Sequence, residues 1–281
     1  GSSTTVYGVV TAIGPASYQD ETGHTYTADT ITLTATDGGT YSYRCDNADK
    51  TFDPGDLVQV TGGTQVSKLA SASLTGKVSA GGTAIGSYSL ASNVEILDTY
   101  GDTQTLRVYP SRLAGVNLTS GMVRWYSTNA QGEIDRLILN DVTGDLHQYG
   151  VLTDVTEQAM GMVLMSSYVY DIAGVPGVYT SQKTIWNLEK GPCQVRMDGK
   201  EVERIYNLTG TALTAVDGKT AMAGTQTWTI SDSVEVYEYR DKNYYLSELS
   251  RVSGGGYDLT GWYDKAQDQG GRIRVVIAEA K

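Results

Sequence analysis

The sequence begins a second time halfway along the chain. YGVVTAI at residues 7–13 is matched by YGVLTDV at residues 149–155. Four more segments match in the same order, at offsets of 137 to 140 residues: SNVEIL with DSVEVY, SRL with SRV, WY with WY, and GEIDRLIL with GRIRVVIA. An internal repeat constrains the fold strongly, because both copies have to form the same structure. We therefore predict a tandem duplication with repeats 1–144 and 145–281.

Each half is predicted to contain two smaller modules. Four strand–turn–strand segments recur at roughly 70-residue spacing: GDLVQVTGGTQVSKL, GMVRWYSTNAQGEIDRLIL, GPCQVRMDGKEVERI and YDLTGWYDKAQDQGGRIRVVI. The expected modules cover about residues 6–70, 71–144, 145–207 and 208–281. The duplicated element is thus a two-module unit.

The local patterns are those of β-structure. In ITLTATDGGTYSYRC, apolar and polar residues alternate on both sides of a DGG turn, which predicts a hairpin with one apolar face. No segment has a long 3.6-residue period; YLSELSRV at residues 245–252 is a candidate short helix, and VYPSRLAG, where Pro110 limits helix formation, a single turn. We predict an all-β chain whose modules are small OB-like or SH3-like barrels or sandwiches.

The charge of the chain argues against two classes of partner. The formal net charge is −11. Nucleic acid requires clusters of Lys and Arg, and an anionic membrane surface also attracts cationic proteins. No apolar run approaches 18 residues, so we expect no membrane insertion by this segment and no nucleic acid partner.

The sequence offers little material for catalysis. His24 and His147 do not occupy equivalent positions in the two halves, and we expect both to be solvated loop residues. No nucleophile elbow, zinc-ligand spacing or phosphate-binding loop is present. The acidic segment DNADKTFDPGD is expected to be a solvated turn, since it lacks the spacing of a calcium loop. We predict no metal and no cofactor.

A glycosidase needs only two carboxylates at a suitable separation, and 32 acidic residues leave such a pair open. Glu95 and Glu235 occupy matching positions between apolar neighbours in alternating strands, where we expect them to point to solvent. We therefore predict a protein that is not an enzyme, and keep a glycan or cell-wall hydrolase as a minor alternative.

A repeated aromatic pair is the best candidate site. Trp125 and Tyr126 match Trp262 and Tyr263 in the corresponding hairpins. Exposed aromatic faces stack on sugar rings, while nearby polar side chains bind sugar hydroxyls; the polar neighbours here are Asn129, Gln131, Asp264 and Gln267. Adjacent strand residues point to opposite faces, so a core or inter-module role for one ring of each pair is the competing interpretation.

The two cysteines do not form a disulfide framework. Cys45 and Cys193 lie at unmatched places in the two halves. A bridge between them and two separate, half-buried thiols are both left open by the sequence.

The pattern YGVVTAI…ITLTATDGGTYSY…GDLVQVTGG…VSKL resembles the repeated β-regions of bacterial surface proteins that carry S-layer homology domains, common in gut Firmicutes. The resemblance extends over most of the chain. It implies a secreted, wall-associated protein whose β-modules act as a stalk or interaction surface, with the wall anchor and export signal outside this sequence. It implies no catalytic residue.

These observations predict a non-enzymatic, extracellular structural or adhesive protein of the bacterial cell surface. Expected partners are a cell-wall polymer, a glycan or a surface protein, bound with avidity through repeated modules. The alternative is a carbohydrate-binding module that uses the two aromatic hairpins.

Overall fold

The computed structural model describes residues 4–182 and 187–281. The chain divides into two compact units, Gly1–Leu146 (unit 1) and His147–Lys281 (unit 2). Strands account for most of the described residues, and the helices are single turns. The predicted all-β class is therefore confirmed.

Unit 1 begins with a five-stranded antiparallel sheet in the order β3-β2-β1-β4-β5. Its strands are β1 Thr5–Gln19, β2 Thr25–Ala35, β3 Thr40–Arg44, β4 Leu57–Thr61 and β5 Gln65–Lys68. A single helical turn, α1 (Ala48–Thr51), connects β3 to β4. The alternating apolar residues of these strands face one core, formed by Val10, Ile31, Leu33, Ala35, Ala48, Phe52, Val58 and Val60.

The second part of unit 1 forms another sheet, in the order β11-β12-β8-β7, with β9 paired to β8. The strands are β6 Gly76–Lys77, β7 Ala84–Ile85, β8 Tyr88–Tyr100, β9 Gln104–Val108, β10 Asn117–Leu118, β11 Val123–Thr128 and β12 Ile134–Asn140. Strands β6 and β10 pair separately, and a 3₁₀ turn lies at Pro110–Leu113. β12 runs parallel to β8, so this sheet is mixed.

Unit 2 begins with a five-stranded antiparallel sheet in the order β15-β14-β13-β16-β17. Its strands are β13 Gln148–Met160, β14 Val163–Ile172, β15 Val175–Ser181, β16 Gly191–Asp198 and β17 Glu201–Asn207. This is the strand order of the first sheet of unit 1, with each strand in the same place along the chain.

The last sheet of unit 2 has the order β18-β23-β24-β21-β20-β19, with β22 paired to β21. Its strands are β18 Thr209–Leu213, β19 Ala215–Asp217, β20 Thr220–Ala223, β21 Gln226–Arg240, β22 Asn243–Ser247, β23 Tyr257–Tyr263 and β24 Ile273–Ala280. The short helix α2 (Leu249–Val252) follows β22, inside the predicted helical segment. β24 runs parallel to β21, as β12 does to β8.

The matched YGV segments explain why both copies need a glycine. A Cβ on Gly8 of β1 would lie 2.2 Å from the carbonyl oxygen of Thr34 on β2. A Cβ on Gly150 of β13 would lie 2.0 Å from the carbonyl oxygen of Asp171 on β14. Neither approach is possible for a residue with a side chain, so the glycine lets the first two strands of each unit cross closely.

The structure also bears on the local predictions. The strands of all four predicted hairpins pair as expected, and so do β2 and β3 across the DGG turn. The single turn predicted around Pro110 is the 3₁₀ helix. Cys45 and Cys193 are both free thiols.

Candidate functional site

The predicted aromatic pair of unit 1 is packed inside that unit. Trp125 on β11 is 7% exposed and lies in a cluster between the two sheets, with Val9 and Leu97. Its ring stacks on Tyr7 of β1 at a centroid distance of 5.2 Å. Tyr126 packs on the neighbouring core, where it meets the ring of Tyr88 edge to face at 5.9 Å. Both rings are already used in packing.

The pair in unit 2 is arranged similarly. Trp262 is half-buried beside the cluster between the sheets, and a Cβ on Gly210 would lie 3.0 Å from its ring. Within the described residues, its buried indole Nε1 has no hydrogen-bond partner. Tyr263 stacks on Trp228 at 4.3 Å. A ligand role for these four aromatic residues stays a prediction.

The polar neighbours of the aromatic pairs form hydrogen bonds within the protein. The side chain of Asn129 accepts hydrogen bonds from the backbone N–H groups of Gln131 and Glu133, both at 3.0 Å. Gln267 accepts one from the N–H of Thr229 at 2.9 Å and donates one to the carbonyl of Thr227 at 2.6 Å. These contacts hold the turns in place.

Asp264 belongs to a buried polar network in unit 2. Its carboxylate lies 3.1 Å from the guanidinium of Arg274, and the two side chains are 3% and 1% exposed. Tyr149 donates its hydroxyl proton to Asp264 at 3.2 Å and accepts a hydrogen bond from Gln194 at 2.9 Å. Burial raises the pKa of Tyr149, so its hydroxyl stays a donor. The network therefore satisfies buried polar groups in the interior of unit 2.

One sequence expectation about a titratable residue was wrong, and a second residue is less exposed than a fully solvated one. His147 is 7% exposed, whereas a solvated loop residue was expected; His24 is indeed exposed, in the loop after β1. Glu235 is half-buried, and burial together with the charge of Asp171 raises its pKa. The alternation of side chains along β21 predicts that Glu235 lies on the face away from the core. It does not predict which other residues pack against that face.

Glu235 is the residue most relevant to the hydrolase alternative. A carboxyl with a raised pKa is a candidate general acid. Asp171 nearby is bound by the hydroxyl of Tyr237 at 3.0 Å. Neither of the two cavities described below is lined by Glu235 or Asp171.

The outer face of β1, β2 and β3 carries a depression of about 410 Å³. It is lined by residues 12–18, Thr30, Thr32 and Ser42. Hydroxyl groups make up its polar surface: Tyr18 and Thr30 are hydrogen-bonded at 2.5 Å, and Thr32 and Ser42 at 2.9 Å. A hydroxyl both donates and accepts hydrogen bonds, so this surface suits a ligand that does the same.

Two tyrosines and an arginine extend the depression at one end. Tyr18 and Tyr26 stack at a centroid distance of 5.7 Å, and Tyr26 is 37% exposed. The guanidinium of Arg44 lies 5.5 Å from the centre of the Tyr26 ring. An aromatic surface therefore borders the hydroxyl groups, with a positive charge at its edge. We call Tyr18, Tyr26, Thr30, Thr32 and Ser42 the hydroxyl face.

Strand register creates the hydroxyl face. Gly14 lies opposite Thr30, and Ala12 lies opposite Thr32, so small residues on β1 face hydroxyl residues on β2. The small side chains leave space above the strand, and that space is the depression. The signal in the sequence was the threonine series of ITLTAT combined with the small residues of β1; from ITLTAT we predicted only a hairpin with one apolar face.

A second cavity, of about 510 Å³, also lies in unit 1. Its charged groups are engaged with each other or with the backbone. Lys68 lies 3.6 Å from Asp56, and Arg124 donates hydrogen bonds to the carbonyl of Gly55 at 2.8 Å and to the hydroxyl of Thr99 at 3.1 Å. The hydroxyl face is preferred as the candidate site because its hydroxyl groups lie beside the 37% exposed ring of Tyr26.

Comparison with known proteins adds no assignment. No protein-family model, curated protein or solved structure matches the chain. Across residues 4–182 and 187–281, no group of three or more His, Cys, Asp or Glu is placed to hold a metal ion. In the same residues no helix is long and apolar enough to cross a membrane.

Proposed function

We propose that the chain is a non-enzymatic, extracellular structural or adhesive protein of the bacterial cell surface, associated with the wall and related to the S-layer type. In this proposal it is a tandem duplication of a two-module unit made of small OB-like or SH3-like barrels. The observation that carries the proposal is the strand order, which is the same in the first sheets of both units. Repeated modules display the same kind of surface more than once, which favours avidity.

Side-chain contacts support the duplication as well. Arg136 of β12 places its guanidinium 4.4 Å from the centre of the Tyr7 ring, and Arg274 of β24 lies 4.6 Å from that of Tyr149. These pairs join equivalent strands in the two units. The two arginines stand one position apart when GEIDRLIL is aligned with GRIRVVIA, so the contacts are similar in kind but do not involve matched residues of β12 and β24.

The experiment is sedimentation of the full chain with isolated bacterial cell walls, followed by measurement of reducing ends in the supernatant. The proposal expects the chain to pellet with the walls and to release no sugar. A chain that stays in the supernatant contradicts the adhesive function. Release of reducing ends would favour the hydrolase instead.

The hydroxyl face favours a second candidate function, carbohydrate binding. Its geometry supports a saccharide ligand because an exposed ring, Tyr26, borders hydroxyl groups that match the donors and acceptors of a sugar. In this second candidate function the carbohydrate site lies on the outer face of β1, β2 and β3. The sequence had predicted it at the Trp125 and Trp262 hairpins.

A glycan array with the full chain tests this second candidate. We expect Tyr26→Ala to weaken binding by at least about 10-fold, since loss of an aromatic ring that contacts the ligand is expected to cost about 1.4 kcal/mol or more. Tyr109→Ala is the matched control, because Tyr109 is a 64% exposed tyrosine of unit 1 outside the hydroxyl face. Equal loss in both variants, or silence of the wild-type chain on all glycans, would overturn carbohydrate binding.

A further inference from the structure

β11 carries a bulge at Arg124. Val123 lies opposite Leu139 of β12, and Trp125 lies opposite Ile138, so Arg124 is an extra residue in β11. A bulge changes the direction of a side chain relative to the regular alternation of its strand, and bulges are common beside functional sites. The side chain that this bulge places lines the second cavity of unit 1, of about 510 Å³.

Unit 2 has no counterpart of this arginine. The matched WY segment follows Gly261 there. Gly261 and the next residue lie opposite Val276 and Val275 in turn, so β23 is regular at this point. A Cβ on Gly261 would lie 2.9 Å from the side chain of Ile273, which leaves no space for a larger residue. The matched hairpin therefore forms without the arginine or its bulge.

The guanidinium of Arg124 is half-buried and lacks an anionic partner. It donates hydrogen bonds to the hydroxyl of Thr99 at 3.1 Å and to the carbonyl of Gly55 at 2.8 Å, which uses two of its five N–H donors. In the described part of the chain, no carboxylate forms an ion pair with it. Burial lowers the pKa of Arg124, and the charges of Asp102 and Asp56 oppose this only in part. A bound anion would offset the cost of burying this cation.

The other two charged residues of the cavity balance each other. Lys68 lies 3.6 Å from Asp56, and that carboxylate also accepts a hydrogen bond from the N–H of Asp53 at 2.9 Å. Among the residues that line the cavity, the charge of Arg124 is therefore the one left without compensation. The lining thus favours a ligand with a single negative charge.

The rest of the lining is mostly apolar. Leu57, Leu69, Ala70 and Val123 contribute apolar surface, and serine hydroxyls at residues 71 and 73 contribute further hydrogen-bonding groups. A volume of this size, apolar walls and a few polar groups are typical of sites for small organic molecules. An inorganic anion would leave the apolar part of the cavity unused.

We propose that this cavity binds a small organic monocarboxylate, with its carboxylate on Arg124 and its apolar part against Leu57, Leu69 and Val123. The planar guanidinium matches the two oxygens of a carboxylate, and a phosphate dianion would bring more charge than the lining balances. The site is separate from the hydroxyl face. The inference goes beyond the proposed function, because it requires neither wall association nor carbohydrate binding.

Saturation-transfer NMR titration of the full chain with hexanoate and benzoate tests the proposal. Hexanamide and benzamide are the neutral analogues of the same shape. We expect each carboxylate to bind at least about 10-fold more tightly than its amide, because only the carboxylate forms a charge-assisted pair with Arg124. Inorganic phosphate is added as a competitor and is expected not to displace hexanoate.

Two variants locate the binding in the cavity. Arg124→Gln is expected to remove the preference for the carboxylate over the amide. Ser73→Tyr places a ring at an exposed position of the lining and is expected to weaken both probes, while the guanidinium stays in place. Arg251→Gln is the control, since Arg251 is an exposed arginine of α2 in unit 2. Circular dichroism checks that all three variants fold.

Three results would overturn the proposal. The first is a wild-type chain that binds hexanoate and benzoate no better than their amides. The second is binding that neither Arg124→Gln nor Ser73→Tyr changes, or that Arg251→Gln weakens equally. The third is displacement of hexanoate by inorganic phosphate, which would assign the cavity to a phosphate-bearing ligand.

Discussion

The carboxylate of Asp98 accepts two hydrogen bonds from Thr143, one from its N–H at 2.9 Å and one from its hydroxyl at 2.7 Å. Its other oxygen accepts from the N–H groups of Thr99 at 3.0 Å and Val142 at 3.1 Å. Asp98 is fully buried on β8, and the bonded segment follows β12. One buried carboxylate therefore holds the end of unit 1 against its second sheet.

Replacement of Asp98 by Asn is expected to destabilise unit 1. An Asn side chain keeps only one acceptor oxygen, and its NH₂ group would face N–H donors. Loss of buried, charge-assisted hydrogen bonds costs about 2–4 kcal/mol. Urea unfolding measures the change, with Asp232→Asn as the control, since the Asp232 side chain is 69% exposed. Equal stability of the two variants would show that the Asp98 bonds do not hold the segment.

The same residue predicts a dependence on pH. Burial raises the pKa of Asp98 above its ordinary 3.8, and the hydrogen bonds from Thr143 and Val142 partly oppose this rise. Because the folded pKa exceeds the unfolded one, the linked stabilisation is complete below about pH 4 and is lost as pH rises through the folded pKa. We expect the stability advantage of wild type over Asp98→Asn to shrink with rising pH. An advantage that grows with pH would contradict the raised pKa.

The glycine of the repeated YGV segment gives a third prediction. Gly8→Ala places a Cβ 2.2 Å from the Thr34 carbonyl oxygen, so the strands have to move apart. We expect a loss of at least ~2 kcal/mol in unfolding free energy, comparable to overpacking of a core. Gly14→Ala on the same strand is the control, because nothing lies within 4 Å of its Cβ. If both substitutions lower the free energy of unfolding by the same amount, strand propensity rather than the close approach of β1 and β2 accounts for the effect at Gly8.

Local patterns predicted much of the fold. Ile31 and Leu33 alternate with threonines because one face of β2 covers a core, and that requirement is visible in the sequence. The repeat of Tyr7 at Tyr149 predicts a second repeat from residue 145, and the second compact unit of the structure begins at His147. Both signals, the alternation within one strand and the repeat between two segments, are visible in the sequence without knowledge of which strands pair.

The candidate site was not predictable in the same way. The hydroxyl face depends on which residue of β1 lies opposite Thr30 and Thr32, and the bulge between Val10 and Ala12 sets that register. A one-residue shift exchanges the two faces of a strand, so periodicity alone cannot place the face. The burial of Trp125 likewise depends on the ring of Tyr7, which lies in another sheet.

The ion pair between Asp264 and Arg274 provides a fourth prediction. Asp264→Asn leaves the guanidinium of Arg274 buried without its anionic partner, which is expected to cost about 3–5 kcal/mol. Lys219 and Asp232 form the control pair: they lie 3.0 Å apart, with side chains 80% and 69% exposed. Loss of an exposed pair changes stability by less than ~1 kcal/mol. Guanidinium chloride unfolding compares them, and equal costs would contradict the buried role of Asp264.

The two cysteines are expected to differ in reactivity towards a thiol reagent such as DTNB. Burial raises the pKa of Cys193 to about 12, so almost no thiolate forms at neutral pH. Cys45 is only partly buried; burial and the charges of Asp46 and Asp29 raise its pKa as well. We expect one thiol to react slowly in the native chain and the second to react only in denaturant.

Single substitutions identify the two thiols. Cys45→Ser should abolish the native reaction, and Cys193→Ser should leave it unchanged while removing the reaction seen in denaturant. The difference follows from access and thiolate formation, both of which unfolding restores. Native reaction of Cys193 at the rate of Cys45 would show that β16 opens readily in solution. A chain with no titratable thiol even in denaturant would instead show that the two cysteines are bridged.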